Sequence, residues 1–595
     1  MNLSGRAAME QLLRMPSGRS LRVAALGVLV TACAHAARQA PTAPAPAPAP
    51  ASRTTGGPPP DSAAFEAWLD GYLTSSRTAA DSLSWLHPYE AGADARAAAQ
   101  ADSQLRALRQ IDTTHLSVPQ RIDWLLAESW LKRTVYDTVL HTAQRSPGRY
   151  LSLGDLYWRV AGDRPPSAQE WAGVRTDLER APRILAQGRS QLAAPPPLWV
   201  RLALGTAASY SAFLGGEFVT RAQGAPDSLR AGLLAAAGAA RSAMDAYAAW
   251  LRDTLRAGPE SSWATGATYY DWVLRDVNFL PYTSATMIAE GRRIHAETKL
   301  ALDSLAQRLR PGASWRALAD EMRSRHPEAG HVTDAYRVAE RRVVALLIRD
   351  DLVTIPPCQE LIFVPTPPQL RETYAWGGYG GITERDSVAT GRFFVTDVVP
   401  GMTPAQADEK LRTQNNGWIS VIALHEGYPG HHLQTVYAQR NPRRLRRRGG
   451  NTYYGEGWAL YAEHWMARAG LFDGNPDGQL GQLQMRLWRT ARVIIDPSLH
   501  TGAMSYEDAV RFFVDEVGLE RSAAEAEVNR FTTWPTQAPS YIIGWLEIER
   551  LENDVRAALG PRFSEKDFVE KVLEAGPLPL ALLRRAVLHA YGLGT

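Results

Sequence analysis

The sequence predicts a mainly α-helical protein with a small β-sheet or hairpins beside a candidate metal site. Three observations predict it. Amphipathic runs with apolar residues at helical spacing recur along most of the 595 residues, separated by proline breaks. The composition is rich in Ala, Leu and Arg, with 18 Trp. Only residues 352–398 carry short extended runs bounded by prolines. Hydrophobic residues make up 45% and charged residues 21%, which suits a chain that is globular over most of its length.

The first 32 residues read as a targeting segment. Arg14, Arg19 and Arg22 precede the apolar stretch Val23–Val30, too short to span a bilayer. It ends in Val30-Thr31-Ala32-Cys33, which resembles a bacterial lipobox, so residues 1–32 are expected to be a lipoprotein signal and Cys33 the lipidated residue. A start at Met15 would give a signal of more usual length. Residues 33–60 are rich in Pro and Ala and cannot offset their ordering entropy by burial. They are expected to be an extended tether that holds the rest off a membrane in the cell envelope. Without residues 1–32 the chain has 61 basic and 61 acidic residues. A balance of zero gives no electrostatic footprint for nucleic acid.

Residues 61–595 read as one helical domain with an N-terminal part to about 350 and a metal-site part from about 351. Asp61-Ser62 can cap a helix with Phe65, Trp68, Leu69 and Tyr72 on one face. Similar runs follow at 101–111, 119–139, 167–192, 228–256, 284–309 and 332–350. Breaks fall at Pro147, Pro165-Pro166 and Pro195-Pro196-Pro197. Leu352–Ile355, Leu361–Val364 and Phe393–Thr396 read as short strands, and the glycine-rich Gly377–Gly381 is too irregular for a phosphate loop. An edge strand here could align an extended peptide.

The chemistry gathers in His425-Glu426-Gly427-Tyr428-Pro429-Gly430-His431-His432, after the apolar run Trp418–Leu424. A chelating pair on one helix wants i, i+4 spacing, and that position here is Pro429. His425 and His431 would stand about 240° and roughly 9 Å apart on a straight helix, and His432 roughly 10.5 Å away on the same face. Neither pair chelates from an unbroken helix. Pro429 removes a backbone donor and Gly430 accepts unusual dihedrals, so the pair can loop residues out and return a downstream histidine to the ion. A second helix offers Glu456, Leu460 and Glu463 on one face, with Glu456 able to ligate and Glu463 able to orient a ligand histidine.

His425-Glu426-x-x-Pro429-Gly430-His431-x-x-Gln434, followed by Glu456-Gly457-Trp458-Ala459-Leu460-Tyr461-Ala462-Glu463, resembles the bacterial domain-of-unknown-function 885 family. That family contains many lipoproteins and is distantly similar to the gluzincin metallopeptidases. The resemblance implies a large multi-helical gluzincin-like architecture and one zinc ion. It implies His425, His431 and Glu456 as ligands, with His432 either behind a ligand or as the alternative ligand, Glu426 as general base and Glu463 behind a ligand. Two later stretches also match it. Arg489–His500 carries Arg492, Asp496 and His500 at steps of four, although Pro497 can end that helix. Trp534-Pro535-Thr536-Gln537 has Thr536 where the family usually has Gly. His500 and Tyr541 are the candidates to hold a tetrahedral oxyanion.

The expected activity is zinc-dependent hydrolysis of peptide bonds. A metal-dependent amidase or esterase acting on envelope components, and a non-catalytic lipoprotein with a structural metal, are the alternatives. No G-x-S-x-G elbow is present, which counts against a serine hydrolase. The run Arg443-Arg444-Leu445-Arg446-Arg447-Arg448 reads as a solvated loop.

Overall fold

The computed structural model describes residues 60–75 and 86–594, apart from positions 152, 154–155, 162–164, 368–369, 372–373, 375, 386–387 and 400. The expected signal, Cys33 and residues 33–59 of the tether lie outside the described residues. The N-terminal part contains the long helices α1 (Pro60–Ser75), α2 (Ala93–Arg109), α3 (Val118–Tyr136), α4 (Ala168–Gln191), α5 (Pro197–Gly215), α6 (Asp227–Asp253), α7 (Ser284–Leu309) and α8 (Val332–Arg349). Most follow the expected amphipathic runs. Helix α5 does not: the triple proline starts a helix, because proline suits a first turn whose N–H groups have no partner. Capping boxes at Ser117–Gln120 and Ser167–Glu170 fix the starts of α3 and α4.

Two main hydrophobic cores result. Helices α4, α5 and α6 close around Trp171, Leu178, Phe213 and Tyr247. The larger core takes Phe65, Leu69 and Leu126 from the first helices and continues through the C-terminal half, where Trp458 and Trp465 are buried. No helix among the described residues is long and apolar enough to cross a membrane.

A three-stranded sheet consists of β1 (Gln359–Pro365), β2 (Gly377–Arg385) and β3 (Val388–Val395) in the order β1-β3-β2. Strand β3 runs parallel to β1 and antiparallel to β2. Leu352–Ile355 is not a strand; Thr354 N–H instead donates to Glu570 at 2.9 Å. The glycine-rich segment is a strand, since pairing with β3 outweighs its poor β-propensity.

The C-terminal half is built from α9 (Asn416–Glu426), α10 (His431–Gln439), α11 (Thr452–Arg468), α12 (Pro476–His500), α13 (Arg521–Thr533) and α14 (Ser540–Leu559). Asn415, Asn451 and Asn475 cap α9, α11 and α12 through their side chains; such caps contribute about 1 kcal/mol each. Helix α12 continues through Pro497 to His500, with most of its length buried. Helices α11 and α14 meet at Gly457 and Gly544, where a Cβ on Gly457 would stand 2.4 Å from the Gly544 Cα. That contact sets how close Glu456 and Tyr541 come.

The arginine run is only partly solvated. Asp123 on α3 is fully buried and takes both Arg443 Nε at 2.5 Å and Arg446 Nε at 2.7 Å. Arg446 also donates to the Ala575 carbonyl at 2.9 Å. The run thus ties the α10–α11 connection to the N-terminal helices.

Candidate metal centre

Helix α9 stops at Glu426 and α10 starts at His431. The expected bulge is therefore a full break between two helices. Gly427 N–H still bonds the Ala423 carbonyl at 2.9 Å, and Gly430 N–H reaches the Leu424 carbonyl at 3.0 Å. Only glycine fits at 430: a Cβ there would lie 1.9 Å from the His425 carbonyl oxygen. Trp458 Nε1 donates to the Pro429 carbonyl at 2.9 Å and fastens the break to α11. The outcome is that His431 returns beside His425, with ring centroids 4.8 Å apart.

Glu456 on α11 completes the group. Its Oε2 lies 3.1 Å from His431 Nε2 and 3.5 Å from His425 Nε2. One ligand atom from each of the three residues falls within a 4.8 Å circle. Glu463, about two helical turns further along α11, places Oε1 2.8 Å from His425 Nδ1. His425 therefore donates from Nδ1, and its Nε2 faces Glu456 and His431. Burial pulls the His425 pKa down, but the hydrogen bonds to Glu456 and Glu463 outweigh it and lift it to about 9. Burial likewise raises Glu456, but the two histidines hold it well below the ordinary carboxylate value. Two nitrogens and a carboxylate oxygen, unscreened and convergent, are a donor set suited to zinc.

The centre forms part of the wall of a cavity of about 290 Å³. Glu426, at the last position of α9, lines it beside the ligands. Tyr541 lines it from α14, its ring stacked on His425 at 5.9 Å. Gly377, Gly378 and Tyr379 bring β2 to the same cavity. Gln537 sits between: Nε2 donates to Glu456 Oε1 at 3.1 Å and Oε1 accepts from Arg530 at 2.8 Å. The backbone of this loop is held from behind. Tyr270 Oη donates to Asp496 Oδ2 at 2.5 Å, and the same oxygen accepts from Thr536 N–H at 3.1 Å. Thr536 adopts φ 70°, the conformation that the family's usual glycine takes freely.

Two expectations are corrected. His432 is not an alternative ligand. Its Nδ1 lies 3.2 Å from Tyr379 Oη and its Nε2 2.6 Å from Gln359 Oε1, so both nitrogens are engaged with the sheet. Burial lowers its pKa to about 3. His500 does not line the cavity: it is fully buried, and its Nε2 donates to the Phe531 carbonyl at 3.0 Å. Steps of four along α12 put it on the face of Asp496, about two helical turns beyond Arg492 on the cavity wall. Gln537, Arg489, Arg492 and Arg530 line the cavity but have no role in the sequence-based expectations; only the place of Gln537, Arg489 and Arg492 in the two later matching stretches hinted at them, and nothing pointed to Arg530. A second group, Asp61, Asp112 and His115, is largely exposed and is accounted for by an ion pair and a turn cap.

The family model described as "Bacterial protein of unknown function (DUF885)" matches residues 74–587. No curated protein matches the chain. Two solved structures share the fold. A candidate lipoprotein of unknown function from Shewanella oneidensis is 20% identical, with a TM-score of 0.67 over 88% of this chain and 99% of its own. A candidate lipoprotein from Colwellia psychrerythraea is 18% identical, with a TM-score of 0.69 over 85% of this chain and 92% of its own.

Proposed function

The chain belongs to the bacterial DUF885 family of unknown function, and from its two-histidine, one-glutamate centre we propose that it is a zinc-dependent peptidase of the cell envelope. One observation carries the reading. Three ligand atoms converge within 4.8 Å at a cavity wall that also presents Glu426. Three protein ligands leave a coordination position open, the arrangement of catalytic rather than structural zinc. His432, the nearest candidate for a fourth ligand, has both nitrogens engaged, which counts against a structural metal.

Zinc held by His425, His431 and Glu456 would polarise a substrate carbonyl and lower the pKa of a water at the centre to about 7. The protein's own groups do the rest. Glu426 takes the water proton on its carboxylate and returns it to the leaving amine. Tyr541 stays protonated, because burial first and the Glu456 charge second raise its phenol. Its hydroxyl can therefore donate to the carbonyl oxygen as negative charge grows there. Gln537 holds the Glu456 carboxylate in place. Strand β2 offers its backbone to an extended peptide at the cavity.

We place the protein on the membrane through a lipid on Cys33, in keeping with the lipoprotein likeness of its structural neighbours. Digestion of a peptide library, read by mass spectrometry with and without chelator, tests the activity. Chelator-sensitive cleavage supports it, and a zinc-loaded protein that cuts no peptide refutes it. Fractionation of wild type against Cys33→Ala tests the anchor, which equal solubility would exclude.

A further inference from the structure

The cavity wall beside the metal centre carries three arginines, two of them with donors that their neighbouring carboxylates leave unpartnered. Arg489 and Arg492 on α12 and Arg530 on α13 line it. The side chains of Arg489 and Arg492 are each only 3% exposed. Arg489 spends Nη2 on Glu463 at 3.0 Å, while its Nε and Nη1 have no partner. Arg492 spends Nε and Nη2 on Glu527 at 2.8 and 2.7 Å, while its Nη1 has none. Arg530 divides its donors between Glu527 at 3.2 Å and Gln537 at 2.8 Å. Three guanidinium groups thus share Glu463 and Glu527.

Buried donors without partners are costly, and guanidinium donors most of all. The Arg492 guanidinium is clamped between the Trp488 ring at 4.1 Å and the Tyr541 ring at 4.3 Å. It is therefore fixed in orientation before anything binds. Tyr541 in turn stacks on His425, so this guanidinium stands one aromatic ring from the metal ligands. A planar carboxylate matches such donors in geometry and charge.

We propose that Arg489 and Arg492 form a carboxylate subsite that seats the free C-terminal carboxylate of a peptide, so that bonds near that end reach the metal centre. That the ligand is a peptide rests on the proposed peptidase activity; the carboxylate subsite rests on the arginines. The same donors would accept a substrate Asp or Glu side chain, and the test separates the two sources.

The measurement is calorimetric binding to zinc-loaded Glu426→Gln protein, which reads affinity without turnover. The probes are Ala-Ala-Ala as the free acid, its C-terminal amide, and the amide of Ala-Glu-Ala. The free acid should bind about 10- to 100-fold more tightly than its amide. Adding Arg492→Gln should remove most of that preference while zinc content holds. Equal affinity of acid and amide, or no binding of either, overturns the subsite, and this comparison needs no arginine variant to fold. If the Ala-Glu-Ala amide matches the free acid, the subsite stands and its ligand is a side chain. Failure of the two claims is distinguishable. Wild type that prefers the acid but cleaves nothing loses the peptidase reading alone. Wild type that cleaves acid and amide alike, with equal affinities, loses the subsite alone.

Discussion

Glu463 Oε1 lies 2.8 Å from His425 Nδ1 and 3.0 Å from Arg489 Nη2, with no exposure to solvent. One buried carboxylate thus fixes the tautomer of a proposed ligand histidine and anchors an arginine of the cavity wall. Glu463→Gln should keep the size but lose the charge that holds the Nδ1 proton. Such partners are typically worth 10- to 100-fold in metal affinity. Zinc competition against a chromophoric chelator should show a loss of about that size. Unchanged affinity would mean that Glu463 serves packing only.

The two adjacent histidines should behave in opposite ways. His431→Ala should lose the metal. His432→Ala should keep it, yet lose about 1–3 kcal/mol of stability with its two buried hydrogen bonds. Metal analysis and denaturant melts on the two variants read this directly. Metal loss in His432→Ala with retention in His431→Ala would reverse the assignment.

Gly430 is where the backbone makes the centre. A Cβ there meets the His425 carbonyl at 1.9 Å and the Leu424 carbonyl at 2.5 Å. Gly430→Ala should cost about 2 kcal/mol or more and abolish zinc binding together. A variant that melts and binds zinc like wild type would show that the break can relax.

The break also marks what the sequence could and could not reveal. Pro429-Gly430 announced a break that brings a downstream histidine back beside His425, because the spacing of His425 and His431 fails on a straight helix. Helical periodicity located α1, α3, α4, α6, α7 and α8 well. It missed α5, since a proline triplet reads as a break until its first-turn position is known. Strand β2 was missed because glycines carry no pattern and its order comes from β3. His500 was misplaced because steps of four name a helix face without saying what that face meets. The arginine wall was hinted at only by the steps of four through Arg492, for a related reason: α12 is buried along most of its length, so no amphipathic stripe singles out Arg489 and Arg492.

Asp496 predicts a pH dependence. Burial raises its pKa to about 7, against the pull of the Tyr270 and Thr536 donors. The folded state then holds a proton that the unfolded state has released from its ordinary value of 3.8 upward. Stability from this group is present below that value and is lost as pH rises toward 7, by about 1.4 kcal/mol per pH unit. Asp496→Asn should flatten that decline in melts between pH 4 and 8. Parallel wild-type and variant curves would contradict it.

In the proposed mechanism catalysis rests on Glu426, which lines the cavity beside the proposed ligands and is not counted among them. Ligand variants remove metal, stability and activity together, so they cannot separate a catalytic zinc from a structural one. Glu426→Gln keeps the volume and removes the base. The most direct test is the rate of hydrolysis of a peptide that wild type cleaves, measured on wild type and Glu426→Gln with zinc assayed in both. The account predicts a fall of at least about 100-fold at unchanged zinc content and melting temperature. Equal rates with the zinc intact would contradict it.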